Sequence, residues 1–376
     1  MTVNSYDEWS PLEEVIVGSG ASYEGHDLDV SFKLFFHDEA YSAFYYPSYG
    51  PGAGAASPRS RGVKARYVEE LGEDLHDFAT ALRQMSVTVH RPMPLSGVDA
   101  FRTPSWEATG VPALNVRDQV LILGDEIIET PPQVRARYFE NDLLKPVFYD
   151  YLRRGARWTA MPRPIMTDRS FDTSYVSGQG TPALQEIGDP AASPYDVGFE
   201  MMFDAAQCVR FGRDVIVNVS TENHRLAVRW LRRHCGDRFR FHVLDRFADN
   251  HIDSLVLPLR PGTLLLRNPA VAEALPEPLR RWDRIYAPEP TENIFPRYEE
   301  DDLVLTSKYI DLNVLSVDEN TVIANAQFPE LVTTLERHGF TVVPLRHRHR
   351  RLFGGGFHCF TLDTVRRGSA PQDYFG

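Results

Sequence analysis

Short runs of β-branched and aliphatic residues recur along the whole chain and predict a fold with many strands. They lie at residues 13–18, 87–92, 119–130, 214–220, 240–244, 252–259, 263–267, 312–325 and 340–345. Two of these runs have turn residues in the middle, Gly124-Asp125 in one and Asp318-Glu319-Asn320 in the other. A turn between two apolar runs is typical of a β-hairpin, so both segments predict hairpins.

Helical periodicity fills the gaps between these runs. In the segment 64–85 the apolar residues fall on one face of a helix: Val68, Leu71, Leu75, Phe78 and Leu82. Residues 222–235 and 329–340 show a similar pattern, and the second segment has Gly339 near its C-terminal cap. The order of hairpin, helix and strand recurs with insertions and predicts an α/β fold, although the letters show no fixed repeat period.

Composition and charge narrow the class of protein. The chain has 376 residues and a formal net charge of −12, which makes nucleic acid an unfavourable partner. It has no apolar run long enough for a membrane span, and its first residues resemble neither a signal nor a transit peptide. Three cysteines argue against a disulfide scaffold and favour a reducing cytoplasm.

One stretch, "LRHRHRRLF" at residues 345–353, is locally basic. It has two interpretations, a patch that binds phosphate or an acidic ligand, and a solvated edge strand or loop. The second is favoured, because a charge run is usually a solvated surface.

Residues 19–62 are unusually rich in tyrosine and phenylalanine and end in "GPGAGAASPRSRG", which we expect to be mobile. A long irregular segment with many aromatic residues is typical of a lid over a site or of an interface. No Pro/Ser-rich linker divides the rest of the chain. We therefore expect one domain over residues 1–376, with an aromatic-rich insertion at about 19–62.

The stretch "GGGFHC" near the C-terminus places Cys359 after three glycines, which suit a sharp turn or a close approach of backbone. This pattern suggests a thiol presented at the rim of a site. A thiol reacts only as the thiolate and needs a suitable neighbourhood. The alternative is an inert buried cysteine, and Cys208 and Cys235 fit that alternative well.

Three further segments offer acid/base or cation-binding groups. "DNHIDS" contains His251 and Asp253, "FDAAQC" places Asp204 after an apolar run, and "NVRDQV" places Asp118 just before a strand. Each has a structural alternative, such as a surface loop or a turn aspartate. Taken together, one cysteine, one histidine and three aspartates suit attack on a guanidinium carbon, because carboxylates hold the planar cation by paired hydrogen bonds.

At this point the sequence resembles the amidinotransferases, the arginine:glycine and arginine:inosamine-phosphate enzymes. The segments that carry the resemblance span nearly the whole chain: "EWSPLEEVIVG", "RDQVLILGDEIIETP", "RARYFE", "GARWTAMPRP", "FDAAQCVRFGRD", "HIDSLVLPLRPG", "TSKYIDLNVL" and "GGGFHCFTLDTVRRG". The resemblance implies a five-fold pseudosymmetric α/β-propeller of ββαβ modules around a central channel. It also implies ping-pong transfer of an amidino group from L-arginine to an amine acceptor, with no metal and no organic cofactor.

The resemblance assigns roles to individual residues. Cys359 would be the nucleophile, His251 the general acid and base, and Asp204 the carboxylate that orients the histidine. The guanidinium would be held by two aspartates, Asp118 and Asp253, with Ser307 and Asn250 near the substrate. A zinc site made by His347, His349, His358 and Cys359 is the minor alternative, because the surrounding arginines would repel a cation.

Two departures from the family pattern bear on the acceptor. The glycine enzymes have the motif "NPDR", whose arginine binds a substrate carboxylate. This chain has Ala270 and Val271 at the corresponding place, in "RNPAVAE". The second departure is Asn250, which stands where the glycine enzymes have methionine. We therefore expect an acceptor other than glycine, such as an aminocyclitol or another amine of secondary metabolism. An arginine deiminase-like hydrolase and a non-catalytic guanidino-binding protein remain alternatives. We expect a homodimer.

Overall fold

The computed structural model describes residues 2–27, 29–35, 63–95, 100–174, 190–248, 251–299, 302 and 304–375. The predicted Asn250 and most of the aromatic-rich segment lie outside these ranges. The helices of the described residues are α1 (Val30–Phe35), α2 (Ala65–Gln84), α3 (Lys145–Arg153), α4 (Glu222–Cys235), α5 (Pro269–Ala274), α6 (Glu277–Arg280) and α7 (Pro329–Arg337). None of them is long and apolar enough to cross a membrane.

The strands are short, and most of them belong to three-stranded sheets. In chain order they are β1 (Leu12–Val17), β2 (Thr88–His90), β3 (Ala100–Arg102), β4 (Glu107–Thr109), β5 (Val120–Leu123), β6 (Glu126–Glu129), β7 (Arg157–Ala160), β8 (Cys208–Phe211), β9 (Asp214–Val219), β10 (Arg240–Asp245), β11 (Val256–Arg260), β12 (Thr263–Leu266), β13 (Asp283–Tyr286), β14 (Leu315–Ser316), β15 (Thr321–Asn325), β16 (Thr341–Leu345) and β17 (Thr361–Arg366).

Within the described residues, five three-stranded sheets share one topology. Their strand orders are β17-β1-β2, β5-β6-β7, β8-β9-β10, β11-β12-β13 and β14-β15-β16. In each sheet the first two strands are antiparallel and the third is parallel to the middle one. A parallel partner requires a crossover, and at least one helix lies between the second and third strand every time.

The first sheet joins the two ends of the chain. Strand β17, near the C-terminus, pairs antiparallel with β1 near the N-terminus, and Val17 is opposite Thr361. The Gly18 amide extends the pairing by donating to the carbonyl of Phe360 at 2.8 Å. The ladder therefore fixes the backbone immediately after Cys359.

The predicted α/β class is confirmed, and so are both hairpins and the three helices. The apolar face predicted for α2 packs into a core cluster with β1 and the C-terminal segment. Strand β8 was not predicted, because its residues lie in a segment whose Asp204 drew a chemical interpretation. Its hairpin with β9 turns at Gly212, where φ is +69° and a side chain would collide with the backbone of Gln372.

Both interpretations of the basic stretch at 345–353 are wrong. Arg350 is fully buried, and its guanidinium pairs with Asp311 at 2.7 Å. Arg348 pairs with Asp74 on α2 at 2.9 Å. These arginines are structural partners of buried carboxylates and form neither a solvated loop nor a free anion-binding patch. The sequence could not indicate this, because the partners lie far away in the chain.

Candidate active site

One position of the repeated topology supplies most of the site. It is the segment that leads into the first strand of each hairpin. The side chains at this position are Asp118 before β5, Asp204 before β8, Asp253 before β11, Asn313 before β14 and Cys359 before β17. Repetition of one local arrangement therefore brings together residues that are up to 241 positions apart in the sequence.

These segments surround a cavity of about 1040 Å³, as bounded by the described residues. Five of the predicted site residues line it: Asp118, His251, Asp253, Ser307 and Cys359. Asp204 is buried behind His251 and does not line the cavity wall. The structure thus brings every predicted site residue that it describes to one place.

His251 lies between two carboxylates. Its Nε2 is 3.0 Å from Oδ2 of Asp204, and its Nδ1 is 3.6 Å from Oδ1 of Asp118. The other oxygen of Asp204 accepts a hydrogen bond from the side chain of Gln119 at 2.9 Å. Burial disfavours the imidazolium, but the charges of Asp118 and Asp204 outweigh it and raise the pKa of His251 to about 9. His251 is therefore protonated at neutral pH.

Asp118 is only half satisfied. The guanidinium of Arg137 donates to its Oδ2 at 2.7 Å. The buried Oδ1 accepts no hydrogen bond from the described residues. Burial raises the pKa of Asp118 and outweighs the neighbouring charges of His251 and Arg137. A buried carboxylate oxygen beside a cavity requires a donor, and a cationic ligand supplies one.

The glycine run has a steric cause. Gly354 has φ of +67°, and a side chain on Gly356 would lie 2.7 Å from the Cβ of Asn313. The turn brings the Cys359 amide to Oδ1 of Asn313 at 2.7 Å. The Cys359 thiol points at Oδ2 of Asp253 at a distance of 3.5 Å. Glycines are therefore needed for this close approach between the Cys359 segment and the segment before β14.

The resting thiol is protonated. Burial raises the pKa of Cys359 well above its usual value, and the carboxylates of Asp253 and Asp118 raise it further. Asp253 itself stays ionised, because hydrogen bonds and charge from His358 outweigh burial and lower its pKa to about 2. A thiol surrounded by carboxylates becomes a thiolate only when a positive charge joins it.

Four supporting residues were not predicted as site residues. Arg137 donates a hydrogen bond to Asp118, and Glu140 accepts two hydrogen bonds from Arg137. Asn313 donates to Asp253 and accepts from the Cys359 amide. His358 shares a hydrogen bond with Asp253 at 2.8 Å. Arg137 and Glu140 share the segment "RARYFE". The sequence alone could have indicated this pair. Two residues of opposite charge that lie three positions apart, next to apolar residues, are compatible with a buried ion pair.

Two sets of residues have the composition of a metal site. Asp118, Asp204 and His251 offer ligand atoms within 4.8 Å of one another, but both ring nitrogens of His251 face these carboxylates, at 3.0 Å from Asp204 and 3.6 Å from Asp118. In the predicted zinc alternative, His347 bonds the carbonyl of Gly355 and His358 lies between Asp253 and Glu8. These imidazoles serve other partners, so neither set fits a metal.

Fold and site together define an α/β protein in which a thiol, an imidazolium and unsatisfied carboxylate oxygen face one cavity. No protein-family model matches the chain. Comparison with known proteins identifies the group to which this arrangement belongs.

The L-arginine:L-lysine amidinotransferase of Pseudomonas savastanoi pv. phaseolicola is 34% identical over 97% of this chain and 95% of that protein. The inosamine-phosphate amidinotransferase 1 of Streptomyces griseus is 35% identical over 97% of each. A solved structure of the Streptomyces griseus inosamine-phosphate enzyme superposes with a TM-score of 0.81 at 33% identity and covers 98% of both chains. The chain belongs to the amidinotransferase family.

Proposed function

We propose that this protein transfers the amidino group of L-arginine to an amine acceptor and releases L-ornithine. One observation carries the proposal. In a chain of this family, the Cys359 thiol, the His251 imidazolium and the half-satisfied Asp118 carboxylate face the same cavity. Nucleophile, acid and cation-binding group are the three parts that the reaction needs.

The guanidinium of arginine binds beside Oδ1 of Asp118 and the carboxylate of Asp253. Planar guanidinium groups and carboxylates form charge-assisted pairs of hydrogen bonds, and both carboxylates are buried, which strengthens the attraction. The bound cation also acts on the thiol. A positive charge near Cys359 opposes the effect of the two carboxylates and lowers the thiol pKa, so the substrate itself promotes formation of the thiolate.

In the first half-reaction the thiolate adds to the guanidinium carbon. His251 gives its proton to the nitrogen of the ornithine part, and the C–N bond breaks as the neutral amine leaves. The amidino group stays on sulfur as a cationic thioether, and Asp118 and Asp253 stabilise its charge. Asp204 holds His251 in place through Nε2.

In the second half-reaction the neutral His251 takes a proton from the acceptor amine. The amine adds to the amidino carbon, the C–S bond breaks, and sulfur leaves as the thiolate. The acceptor departs as a guanidino compound and His251 is again protonated. The Cys359 thiol loses its proton to solvent when arginine binds and takes one back when the guanidino product leaves. With that exchange every group returns to its starting state, so the two half-reactions form a ping-pong cycle.

The acceptor is an amine larger than glycine, such as an aminocyclitol or another amine of secondary metabolism. The cavity volume of about 1040 Å³ supports this, because it is at the upper end for small-molecule sites. Ala270 and Val271 line the wall with apolar atoms. Apolar atoms on the wall favour carbon-rich parts of a larger acceptor.

Incubation with arginine, with and without a panel of amines, tests the proposal. A transferase releases at most one equivalent of ornithine per enzyme from arginine alone, and gives further ornithine and a new guanidino compound only when an acceptor is present. Citrulline and ammonia from arginine alone would instead identify a hydrolase. No reaction, together with slow alkylation of Cys359 at neutral pH, would identify a non-catalytic binding protein. Mass spectrometry of the products distinguishes these three outcomes.

We further infer that the five sheets are arranged as a closed α/β-propeller in one domain over residues 1–376. Their shared topology and the pairing of β17 with β1 support this arrangement. We also infer a homodimer in the cytoplasm. Exposed apolar side chains on α3, Tyr149 and Leu152, support an interface, and three free cysteines fit a reducing compartment. Sedimentation velocity tests the dimer.

A further inference from the structure

The cavity has a second polar region away from the thiol. Asn313, which touches Asp253 and the Cys359 amide, immediately follows a 3₁₀ turn formed by Lys308–Leu312. The turn begins with Lys308 and Tyr309, and both line the cavity. At a rise of about 2 Å per residue, Tyr309 lies roughly 8 Å along the turn from Asn313. The cavity wall therefore continues, from the carboxylates near Cys359 toward Tyr309, for about the length of an amino acid side chain.

A guanidinium group of the protein is placed against this part of the wall. Arg267 lines the cavity, and its guanidinium carbon lies 3.7 Å from the ring centre of Tyr309. The backbone amide of Arg267 donates to the carbonyl of Leu255 at 3.0 Å, which ties this residue to the turn that carries Asp253. Stacking on an aromatic ring fixes the plane of a guanidinium and leaves its N–H edge available.

Arg267 differs from its cationic neighbour in its partners. Lys308 pairs with Glu289 at 2.6 Å, and the Tyr309 hydroxyl donates to the same carboxylate at 2.9 Å. The Arg267 guanidinium forms no ion pair and no hydrogen bond with any residue that the structure describes. The charge of Glu289 acts on Arg267, but that carboxylate is paired with Lys308 and Tyr309. The guanidinium is therefore a fixed fork of N–H donors in the cavity wall, and none of these donors is hydrogen-bonded to a described residue.

We propose that Arg267 binds the α-carboxylate of the donor amino acid and so sets the direction in which L-arginine enters. This inference rests on the proposed amidinotransferase function. In extended arginine, the guanidinium carbon and the carboxylate carbon are roughly 7 Å apart, since six bonds of about 1.5 Å join them. That span is close to the roughly 8 Å along the turn from Asn313, which touches Asp253, to Tyr309, on which Arg267 stacks. It is compatible with a guanidinium beside Asp118 and Asp253 and a carboxylate on Arg267.

The charges of the two regions, the carboxylates near Cys359 and the Arg267 guanidinium, favour one orientation of bound L-arginine. Carboxylates near Cys359 repel the α-carboxylate of the substrate, and the Arg267 cation repels the guanidinium. A planar fork binds a carboxylate through two parallel hydrogen bonds, which a lysine cannot reproduce. Arg267 is therefore a specificity residue that selects amino acid donors over simple guanidines.

Agmatine, which is arginine without its carboxylate, provides the test. The first half-reaction needs no acceptor, so release of ornithine or putrescine in a single turnover reports it for either compound. We expect the parent to prefer arginine over agmatine by about 100-fold in kcat/KM, as for loss of a charge-assisted pair. Arg267→Gln should lose most of this preference through the arginine rate, and Arg267→Lys should keep part of it.

Matched variants remove the competing explanations. Arg137 and His251 belong to the carboxylate site. Apart from these and Arg267, the described cavity wall has two further cations, Arg246 and Lys308. Arg246→Gln and Lys308→Met remove them one at a time, and both variants should keep most of the preference for arginine. If Arg267→Gln keeps the preference, if Arg246→Gln abolishes it, or if Arg267→Gln loses agmatine and arginine turnover equally, the inference is wrong. A parent that forms no amidino-enzyme from arginine would contradict the proposed function instead.

Discussion

Two neighbouring clusters of buried charges in this protein are built in opposite ways. The first, the Glu8–Asp363 network, surrounds its two carboxylates with three guanidinium groups, from Arg117, Arg210 and Arg366. Arg210 reaches both carboxylates, with distances of 2.8 Å to Glu8 and 2.7 Å to Asp363, and so does Arg117, at 3.3 Å and 2.7 Å. The pKa of Glu8 is well below its usual value, because Arg210 and Arg117 outweigh the effect of burial.

The second cluster is the carboxylate site around Cys359. Within the described residues its carboxylates face Arg137, the protonated His251 and His358. These three groups serve four buried carboxylates, those of Asp118, Glu140, Asp204 and Asp253. Burial raises the pKa of Glu140 to about 7 despite its pairing with Arg137. Negative charge in this cluster therefore exceeds the positive charge that the cluster supplies.

The difference separates structural from functional charges. Where every buried carboxylate has its cations, the charges hold segments of the chain together, as Glu8 and Asp363 do. Where a cation is lacking, the site is prepared to bind one, at a cost to stability in its absence. His358 connects the two clusters, since one ring nitrogen is 2.8 Å from Asp253 and the other is 3.3 Å from Glu8.

The largest expected effect concerns the thiol. Cys359→Ala should lower turnover by about 10⁶-fold, as loss of a nucleophile does in other covalent enzymes, and leave the protein folded. Intact-mass analysis after mixing with arginine should show one amidino group on the parent and none on the variant.

Cys235→Ala is the matched control, because that thiol is also buried but packs among apolar residues. Burial raises its pKa to about 11, and it does not line the cavity in which a bound cation could lower that pKa. The variant should keep the adduct. An adduct mapped to Cys235 or Cys208 would overturn the assignment of Cys359.

The next effect concerns the partner of His251. Asp204→Asn should bind arginine but slow catalysis by about 10⁴-fold, because an amide neither holds the imidazole in the same way nor stabilises its charge. The change removes one of the three carboxylates, Asp118, Asp204 and Asp253, that raise the His251 pKa to about 9. A variant that retains more than a tenth of the parent kcat would show that Asp204 is only structural.

The pH dependence sharpens this prediction. In the proposed mechanism the first half-reaction uses protonated His251, so its rate in the parent should fall as pH rises through about 9. In Asp204→Asn that decline should begin at lower pH. The folded pKa of His251 is raised, so its charged contacts stabilise the protein fully below about 6.5 and are lost as pH rises through about 9. NMR titration of labelled histidine measures the shift directly.

The sequence indicated the candidate reactive groups of the carboxylate site better than the contacts that hold these groups in place. Cys359, His251 and the three aspartates stand out because each interrupts an apolar or glycine-rich context. Arg137 and Asn313 do not stand out, because their roles depend on residues that only the repeated topology brings near. For the same reason the Glu8–Asp363 network was missed, since its members are up to 358 positions apart. Local patterns reveal elements and reactive groups, but not which distant charges meet.

A pair of isosteric variants tests the comparison through stability. Glu8→Gln leaves Asp363 as the only carboxylate that pairs with Arg210 and Arg117. Loss of one partner from this buried network should cost about 3–5 kcal/mol of unfolding free energy. Asp118→Asn should cost little or even stabilise the protein at pH 8. The folded pKa of Asp118 is raised, so its ionisation above that pKa destabilises the fold, and the neutral amide lacks this penalty.

Thermal unfolding without substrate measures both changes. Asp118→Asn should also lose arginine binding, which calorimetric titration shows. The comparison fails if the two variants destabilise the protein equally, because both carboxylates would then be structural in the same sense.

The smallest expected effect concerns Ser307, which lines the cavity but carries no charge. Its hydroxyl accepts from the Tyr309 amide at 3.4 Å, at the start of the turn that leads to Asn313. Ser307→Ala should lower kcat/KM by less than about tenfold, as for one neutral hydrogen bond, and Ser307→Thr should restore it. A loss as large as that of Asp204→Asn would mean that a neutral group contributes as much as the buried charges. The excess of carboxylates would then not be what defines this site.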